Sequence, residues 1–428
     1  MKRFALPLFV KAISLSTHKQ ILLLLVVALS CLLPSAQARQ AAEKPKVRAI
    51  TAFINIARTN FKKPVADALA MLRQAKASLE QAGYEVQSIR IATQPFSETT
   101  RGLSEEDALA FFAEYSQIVK AESFDGSIGP AMFKSSADSR EAELLAKVLA
   151  ANMLLNASLT VADENGVRWG SVKAAARVIK YLEENTPGGY ANFNFSATAL
   201  VPPHTPFYPG AYHNGPGKRF AIALQSANVV AEAFASAKNL ADGRIVLETK
   251  LGAHARAIEK AAQTIEKQTG WKYEGIDLSP APLKEVSIGG ALEKLTGQKF
   301  GAPGTMSAAA VTTGALHAIK VKRAGYSGLM VPVLEDAVLA ERWSEGVLTL
   351  DALLAYSAVC GTGLDTVPLP GDVTLEQLEL IIGDMASLAV KWRKPLSARL
   401  MPVPGKKAGE RTEFNDPFLV NATLQRLP

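Results

Sequence analysis

The chain is poor in cysteine and histidine and lacks the common catalytic motifs. Of its 428 residues, two are cysteine and five are histidine. Cys31 lies in an apolar N-terminal run, so the rest of the chain contains Cys360 alone and cannot form an internal disulfide. No HExxH, GxSxG or CxxC pattern occurs. Stability must therefore come from a buried core, and the sequence indicates no familiar reaction.

The chain also lacks a block of one kind of charge. Its formal net charge is +7, from 47 basic and 40 acidic residues. Four of the basic residues precede the apolar run with no acid among them: Lys2, Arg3, Lys11 and Lys19. The remaining residues are close to electrical balance and have no cluster of lysine and arginine. We therefore expect no nucleic-acid partner.

The N-terminus has the pattern of an export signal. A basic region ends at Lys19, residues 21–33 form an apolar core, and Ala36-Gln37-Ala38 offers small residues at the spacing that a signal peptidase needs. The apolar core is short for a membrane span, which needs about 20 residues. We predict a signal peptide at 1–38 and a short linker at 39–46. The mature protein would then be exported without a membrane span, and periplasmic if the source is Gram-negative. An uncleaved anchor is the alternative.

Strand and helix patterns alternate from residue 47 onwards, which predicts an α/β fold with a largely parallel sheet. No flexible linker or repeat interrupts this part, so 47–428 is predicted to be one domain closed into a barrel. The clearest helix is 375–392, where Thr374 and Gln377 form a capping box. Predicted strands cover 47–56, 84–91, 154–161, 194–201, 220–224, 273–278, 328–333 and 397–403. Predicted helices cover 65–82, 139–151, 171–184, 226–237, 251–267, 307–323, 350–359 and 375–392, and a further helix begins at Ser104.

Several unusual segments lie between these elements. They include residues 48–54, 207–213 (FYPGAYH), 277–282 (DLSPAP), 301–305 (GAPGT), 331–333, 360–372 (CGTGLDTVPLPGD) and 398–414 (ARLMPVPGKKAGERTEF). Together they resemble the domain-of-unknown-function 711 family, also called uncharacterised protein family 0210, over most of the chain. The resemblance implies a ten-stranded α/β barrel similar to that of pyruvate formate-lyase and ribonucleotide reductase. It implies no particular reaction.

The chain departs from the radical enzymes of that fold near its C-terminus. Their glycyl-radical loop, an Arg-Val-Ser-Gly-Tyr-like segment, is absent, and residues 414–419 read FNDPFL. The predicted export argues in the same direction, because the activating enzymes are cytosolic. We therefore expect no glycyl-radical chemistry and no thiyl radical at Cys360.

Three residues are the catalytic candidates: Cys360, Asp365 and His213. Gly361 and Gly363 would leave the backbone near Cys360 open to a ligand, but a small buried residue is the alternative for this thiol. Asp365 has no helix terminus to explain it, and a structural role is equally open. His213 and His204 flank an aromatic turn, without the spacing of a known metal site. No metal or cofactor is assigned.

Anion binding is predicted at two Gly/Pro-rich loops. Gly304 and Thr305 lead into a helix N-terminus, whose free N–H groups favour a carboxylate or phosphate. Lys406 and Lys407 follow the strand that contains Arg399 and offer two ammonium groups. The alternative for the lysines is a solvated turn.

We expect Arg399, Lys406 and Lys407 to face one cavity with Cys360 and Asp365. Asp372 is expected to be a closer neighbour of the lysines than Cys360, because Cys360 enters its strand at the opposite end. Favourable interaction with the following helix is the alternative role for Asp372.

Two functions fit these features. The first is an exported enzyme that acts on a small anionic molecule, a carboxylate or phosphate, at the barrel mouth. The second is a periplasmic binding or sensory protein that holds such a ligand without turnover. The sequence leaves homo-oligomerisation open.

Overall fold

Strands and helices alternate through the residues that this computed structural model describes, 43–134 and 139–427. The strands are β1 (Lys46–Phe53), β2 (Ile89–Ala92), β3 (Asp125–Ala131), β4 (Leu155–Asp163), β5 (Gly166–Val167), β6 (Phe195–Ala199), β7 (Arg219–Gln225), β8 (Lys272–Asp277), β9 (Gly363–Pro370) and β10 (Leu396–Val403). The predicted α/β class is confirmed. The predicted signal peptide lies outside the described residues.

Helices separate most of the strands. They are α1 (Lys62–Gln81), α2 (Phe96–Thr99), α3 (Glu105–Glu122), α4 (Arg140–Ala151), α5 (Trp169–Asn185), α6 (Ala227–Ala235), α7 (Leu240–Thr269), α8 (Ile288–Thr296), α9 (Thr305–Ala318), α10 (Ala337–Ser344), α11 (Leu350–Ser357) and α12 (Leu375–Trp392). Two 3-10 helices cover Pro187–Asn194 and Val333–Glu335. Within the described residues, no helix combines the length and apolar character needed to cross a bilayer.

The strands form one sheet in the order β8-β7-β1-β2-β3-β4-β6-β10-β9, and β5 pairs with β4. β1, β2, β3, β4 and β6 are parallel to one another. β7 is antiparallel to β1, and β10 is antiparallel to β6. β8 is parallel to β7, and β9 is parallel to β10. The five parallel strands β1, β2, β3, β4 and β6 therefore begin at the end of the sheet where β7, β8, β9 and β10 finish. We call this end the cavity end and the opposite one the histidine end.

An irregular segment, residues 323–332, contacts both outer strands of the sheet. Arg323 forms a parallel bridge with Ile276 of β8, and Pro332 forms one with Asp365 of β9. At the β9 side, Gly361 N donates to Leu329 O at 2.7 Å. The prediction of a strand at 328–333 is wrong in form, because these residues make this single bridge and then enter a 3-10 helix.

A buried carboxylate holds the start of this segment against β8. Asp277 accepts hydrogen bonds from Tyr326 N at 2.8 Å and Ser327 N at 2.9 Å. It also accepts one from the Ser279 hydroxyl at 2.7 Å. Burial raises the pKa of Asp277 to about 6, although these hydrogen bonds oppose the shift. Residues near 325 are thereby fixed to the end of β8.

Helix α12 has the most regular apolar repeat in the sequence. The predicted capping box is confirmed, since Gln377 N donates to Thr374 Oγ1 at 3.1 Å and Gln377 Oε1 accepts from Thr374 N at 3.1 Å. Its buried residues are Leu378, Ile381, Ile382, Gly383, Met385, Ala386 and Ala389. Leu375 and Trp392, the first and last residues of the helix, are exposed.

One face of the sheet is covered by residues 200–218, which we call the interior loop. Hydroxyl groups on three strands donate to its carbonyl groups: Thr51 to Pro206 at 3.1 Å, Ser127 to Ala211 at 2.9 Å and Ser196 to Pro209 at 3.1 Å. Alanines of the facing strands leave room for the loop and pack against it, namely Ala49, Ala92, Ala221 and Ala223.

Candidate anion-binding site

An open cavity of about 670 Å³ lies at the cavity end of the sheet. The first residues of β2, β3 and β4 line it, together with the interior loop and the C-terminal tail. Its basic lining residues are Arg48, Arg73, Lys76, Arg90 and Arg399, and its acidic ones are Glu122, Asp125 and Glu335. The lining thus has a formal excess of two positive charges, which favours an anionic occupant.

Arg48 enters the cavity because of a β-bulge. Val47 pairs with Leu224 and Ala49 pairs with Ala223, so Arg48 is the additional residue of β1. Such a bulge redirects a side chain and is common beside functional sites. The guanidinium lies 5.1 Å from the centre of the Phe418 ring and has no ion pair among the described residues.

The environment of Arg48 disfavours its charge. Burial, and then the nearby positive charge of Arg90, lowers the pKa of Arg48 to about 10. Glu335 and Asp125 oppose this shift without cancelling it. An anion bound in the cavity would supply the missing compensation.

Arg90 is buried, with 6% of its surface exposed, yet part of its guanidinium is available to the cavity. Its Nε donates to Asp125 Oδ2 at 3.1 Å and to Ser88 Oγ at 3.2 Å. Within 43–134 and 139–427, neither terminal nitrogen has a hydrogen-bond acceptor. The Tyr208 ring lies 4.6 Å from the guanidinium carbon. Ser88 Oγ also donates to Arg48 O at 3.0 Å, which links the two arginines.

A second charged group surrounds Arg399. Its Nε donates to Asp365 Oδ1 at 2.7 Å, and its Nη2 pairs with Glu335. Its Nη1 donates to Phe193 O at 3.4 Å, and the Phe193 ring lies 4.9 Å away. One guanidinium therefore serves two carboxylates, and their opposite charges raise the pKa of Arg399 despite its burial.

Glu335 is the carboxyl group of this cluster that lines the open cavity. Burial raises its pKa, and the charge of Asp365 adds to the shift, while Arg399 opposes it. Glu335 lines the 670 Å³ cavity. Asp365 instead lines an interior space of about 10 Å³ beside the interior loop, which at most one water molecule would fill. A carboxyl group of raised pKa beside an open cavity is a candidate general acid or base.

The structure brings Arg399 and Asp365 together, but Cys360 lies elsewhere. Cys360 precedes β9 at the histidine end, is 1% exposed, and lines neither the 670 Å³ cavity nor the interior space beside Asp365. Its carbonyl and that of Ser357 accept hydrogen bonds from Lys394 Nζ. The expected common cavity for Cys360 and Arg399 is therefore not formed.

His213 also lies at the histidine end, where it is fully buried. Its Nδ1 lies 3.2 Å from His204 Nε2, within hydrogen-bond distance. Burial lowers the pKa of both histidines to about 4. His204 lines a separate cavity of about 330 Å³ with Glu274 and His317. Among the described residues, no three His, Cys, Asp or Glu side chains are grouped as a metal site would require.

The remaining anion-binding candidates do not line the 670 Å³ cavity. Lys406 pairs with Glu413 at 3.0 Å, and Lys407 and Asp372 are exposed. Gly304 precedes α9, where Thr305 Oγ1 accepts a hydrogen bond from Gly301 N at 3.0 Å and so closes its own turn. The lysines follow the strand that contains Arg399, but the structure does not bring them to the cavity that Arg399 lines.

Comparison with known proteins identifies the family. The family model described as "Uncharacterised ACR (DUF711)" matches residues 40–415. A UPF0210 protein of Pyrobaculum arsenaticum is 32% identical over 404 residues, which cover 85% of this chain and 86% of the relative. The chain belongs to the UPF0210 (DUF711) family. A second UPF0210 protein, from Pyrobaculum aerophilum, is 36% identical over 63% of this chain and 61% of its own length. A third, from Desulforudis audaxviator, is 34% identical over 63% of each chain. The predicted family membership is confirmed.

Three residues of this UPF0210 site were missed from the sequence: Arg48, Arg90 and Glu335. The first two carried a usable signal, because each is a charged residue within an apolar strand, in Val47-Arg48-Ala49-Ile50 and Ile89-Arg90-Ile91. A charge in such a position needs a partner or a cavity. Glu335 gave no comparable signal, since it lies in a 3-10 helix with no periodic pattern.

Proposed function

We propose that this protein binds a small anionic molecule, a carboxylate or a phosphate, in the 670 Å³ cavity and acts on it as an enzyme. The available guanidinium groups of Arg48 and Arg90 in that cavity are the observation that carries the proposal. Guanidinium forks match carboxylate and phosphate oxygens and bind them in pairs. The volume is within the usual range for small-molecule sites.

Glu335 is the proposed proton donor or acceptor. Its carboxyl group lines the cavity, and burial raises its pKa above the ordinary glutamate value. The positive charges of Arg48 and Arg399 would stabilise negative charge that develops on the ligand during proton transfer. This chemistry needs no protein radical, and the absence of a glycyl-radical loop agrees with that.

A binding or sensory protein without turnover is the second candidate. One observation favours it: Arg399 already donates to Asp365, Glu335 and Phe193 O. A charged group whose hydrogen bonds are already formed within the protein can shape the cavity without reacting with the ligand.

Ligand-dependent thermal melting tests the binding step. A ligand at 100 times its dissociation constant should stabilise the fold by about 2.7 kcal/mol. Small carboxylates and phosphates would be screened against the wild type, Arg48→Ala and Lys407→Ala. We expect stabilisation of the wild type and Lys407→Ala and its loss in Arg48→Ala. Equal stabilisation of all three proteins would contradict the assignment to this cavity.

Proton-transfer chemistry is tested with Glu335→Gln, which keeps the shape of the side chain and removes its acid. A stabilising ligand would be incubated with each protein and followed by proton NMR in deuterated water. We expect exchange or conversion with the wild type, and binding without conversion with Glu335→Gln. A bound ligand that the wild type returns unchanged would support the binding protein.

We propose that the sheet closes into a ten-stranded barrel in which residues 323–332 occupy the position between β8 and β9. Bridges at Ile276 and Asp365 support this, because they join the segment to both outer strands. Its direction also agrees, since both bridges are parallel. A barrel removes the exposed edges that an open sheet would offer to other chains.

Export remains a proposal from the sequence. The apolar core at 21–33 and the small residues at 36–38 support cleavage after Ala38. Mass spectrometry of the protein from its native source would measure the mature N-terminus. A cytosolic chain that begins at Met1 would refute export.

A further inference from the structure

We infer that the group bound between Arg48 and Arg90 is the doubly charged phosphate of a phosphate monoester rather than a carboxylate. The inference rests on the proposed function and narrows it to one ligand class. It follows from the number and arrangement of hydrogen-bond donors that the two arginines leave available in one cavity.

The available donors exceed what a carboxylate can accept. The two terminal nitrogens of Arg90 have four N–H groups, and Arg48 adds a guanidinium with five. Within the described residues none of these has an acceptor. A carboxylate offers two oxygens with about four lone-pair sites. A phosphate monoester offers three terminal oxygens and a charge of about −1.5 to −2 near neutral pH.

Each guanidinium lies over an aromatic ring. Arg48 lies against the Phe418 ring and Arg90 against the Tyr208 ring. A ring on the face of a guanidinium leaves its edge, which holds the N–H fork, for hydrogen bonding. Ser88 accepts from Arg90 Nε at 3.2 Å and donates to Arg48 O at 3.0 Å, so it sets the two residues relative to each other.

The carboxylates of the cavity leave this position open to a dianion. Asp125 is paired with Arg90 through Nε, Glu122 with Arg73 and Glu335 with Arg399. Arg48 is the arginine of the lining without an acid of its own among the described residues. The organic part of the ester would lie against apolar lining residues such as Phe207 and Met330. The cavity volume far exceeds that of a phosphate group, which leaves room for such a part.

The test compares three ligands with the same ring, measured by isothermal titration calorimetry on the full chain. Phenyl phosphate is the proposed type, benzenesulfonate is tetrahedral with one charge, and benzoate is a carboxylate. We expect phenyl phosphate to bind at least about tenfold more tightly than either of the others. Its affinity should rise with pH through about 6, where phosphate monoesters lose their second proton. The affinity for benzenesulfonate should not rise there.

Two variants assign the binding to the arginines. Arg90→Lys keeps the charge and removes the fork, so phenyl phosphate should bind about tenfold more weakly or worse. Arg48→Lys should give a similar loss and breaks no ion pair, which keeps the test valid if Arg90→Lys fails to fold. Lys407→Ala is the control with unchanged affinity. Benzoate binding as tightly as phenyl phosphate would overturn the phosphate assignment and leave the proposed function standing. Binding of none of the three, nor of any other small anion, would overturn both.

Discussion

The contact between Gly361 and Gly328 allows a quantitative test of how residues 323–332 join β9. A side-chain carbon added at Gly361 would lie 2.5 Å from Gly328 Cα, 2.6 Å from its carbonyl carbon and 2.8 Å from its nitrogen. All three atoms belong to the backbone, so no side chain can rotate away. The substitution Gly361→Ala therefore forces the two chain segments apart.

The expected cost follows from the size of that displacement. Ordinary contacts of such a carbon lie at 3.4–4 Å, so one segment must move by roughly 1 Å. This movement would lengthen the hydrogen bond from Gly361 N to Leu329 O, now 2.7 Å. Overpacking of this kind costs about 1–3 kcal/mol, and a weakened hydrogen bond adds about 1 kcal/mol. We expect Gly361→Ala to lower the free energy of unfolding by about 3 kcal/mol.

Urea unfolding, followed by circular dichroism, measures this change. Gly314→Ala is the matched control, because a side-chain carbon there meets nothing nearer than an Arg244 nitrogen at 4.0 Å. Gly314 lies within α9, where alanine should stabilise the helix by about 1 kcal/mol. The two substitutions add the same methyl group and should have opposite signs. A Gly361→Ala protein as stable as the wild type would refute the close contact and the junction built on it.

Three further predictions concern stability and chemistry. Asp336 accepts hydrogen bonds at the start of both α8 and α10, from Ile288 N at 2.6 Å and Leu339 N at 3.0 Å among others. Asp336→Ala should therefore lower the free energy of unfolding in urea by about 3 kcal/mol. A loss below about 1 kcal/mol would contradict the capping of both helices by Asp336. The pKa of buried His213 is about 4, below its ordinary 6.5, so the folded state binds fewer protons than the unfolded state between these values. The contribution of His213 should therefore be complete above pH ~6.5 and fall by about 3 kcal/mol towards pH ~4, where His204 acts in the same sense, and His213→Gln should reduce the slope relative to the wild type. The raised pKa of Asp277 acts in the opposite sense and is common to both proteins, so an unchanged slope in the variant would refute the assignment to His213. Incubation with a glycyl-radical activase under anaerobic conditions should give no persistent doublet in electron paramagnetic resonance, and such a doublet would show that radical chemistry is present.

Elements with a regular apolar repeat could be predicted from the sequence, and elements that depend on distant partners could not. α12 was predicted with both of its bounds, since Thr374 and the apolar repeat are local features. β3 was missed because Gly126, Gly129 and Pro130 argue against a strand. Gly129 adopts φ +76°, and a side-chain carbon there would lie 2.0 Å from Gln94 O. Its glycine is thus required by a neighbouring chain segment that the local sequence does not indicate.

The candidate site shows the same limit. Gly361 was expected to leave the backbone open to a ligand, but the group that approaches it is the backbone of Gly328. Arg48 enters the cavity through a bulge whose register depends on pairing with β7, more than 170 residues later in the chain. Arg399 and Asp365 were each singled out, whereas their contact with Glu335 depends on the bridge at Pro332.

The interior loop has a consequence for how the chain folds. It connects β6 to β7. β7 then pairs with β1, at the opposite side of the five parallel strands from β6. Neither half of the chain could cover the alanine-lined face by itself, because the covering segment lies between them in sequence. We therefore expect cooperative folding dominated by contacts between distant residues, which is slow. A ribosome-bound fragment that ends before β7 should remain susceptible to proteases until the second half emerges.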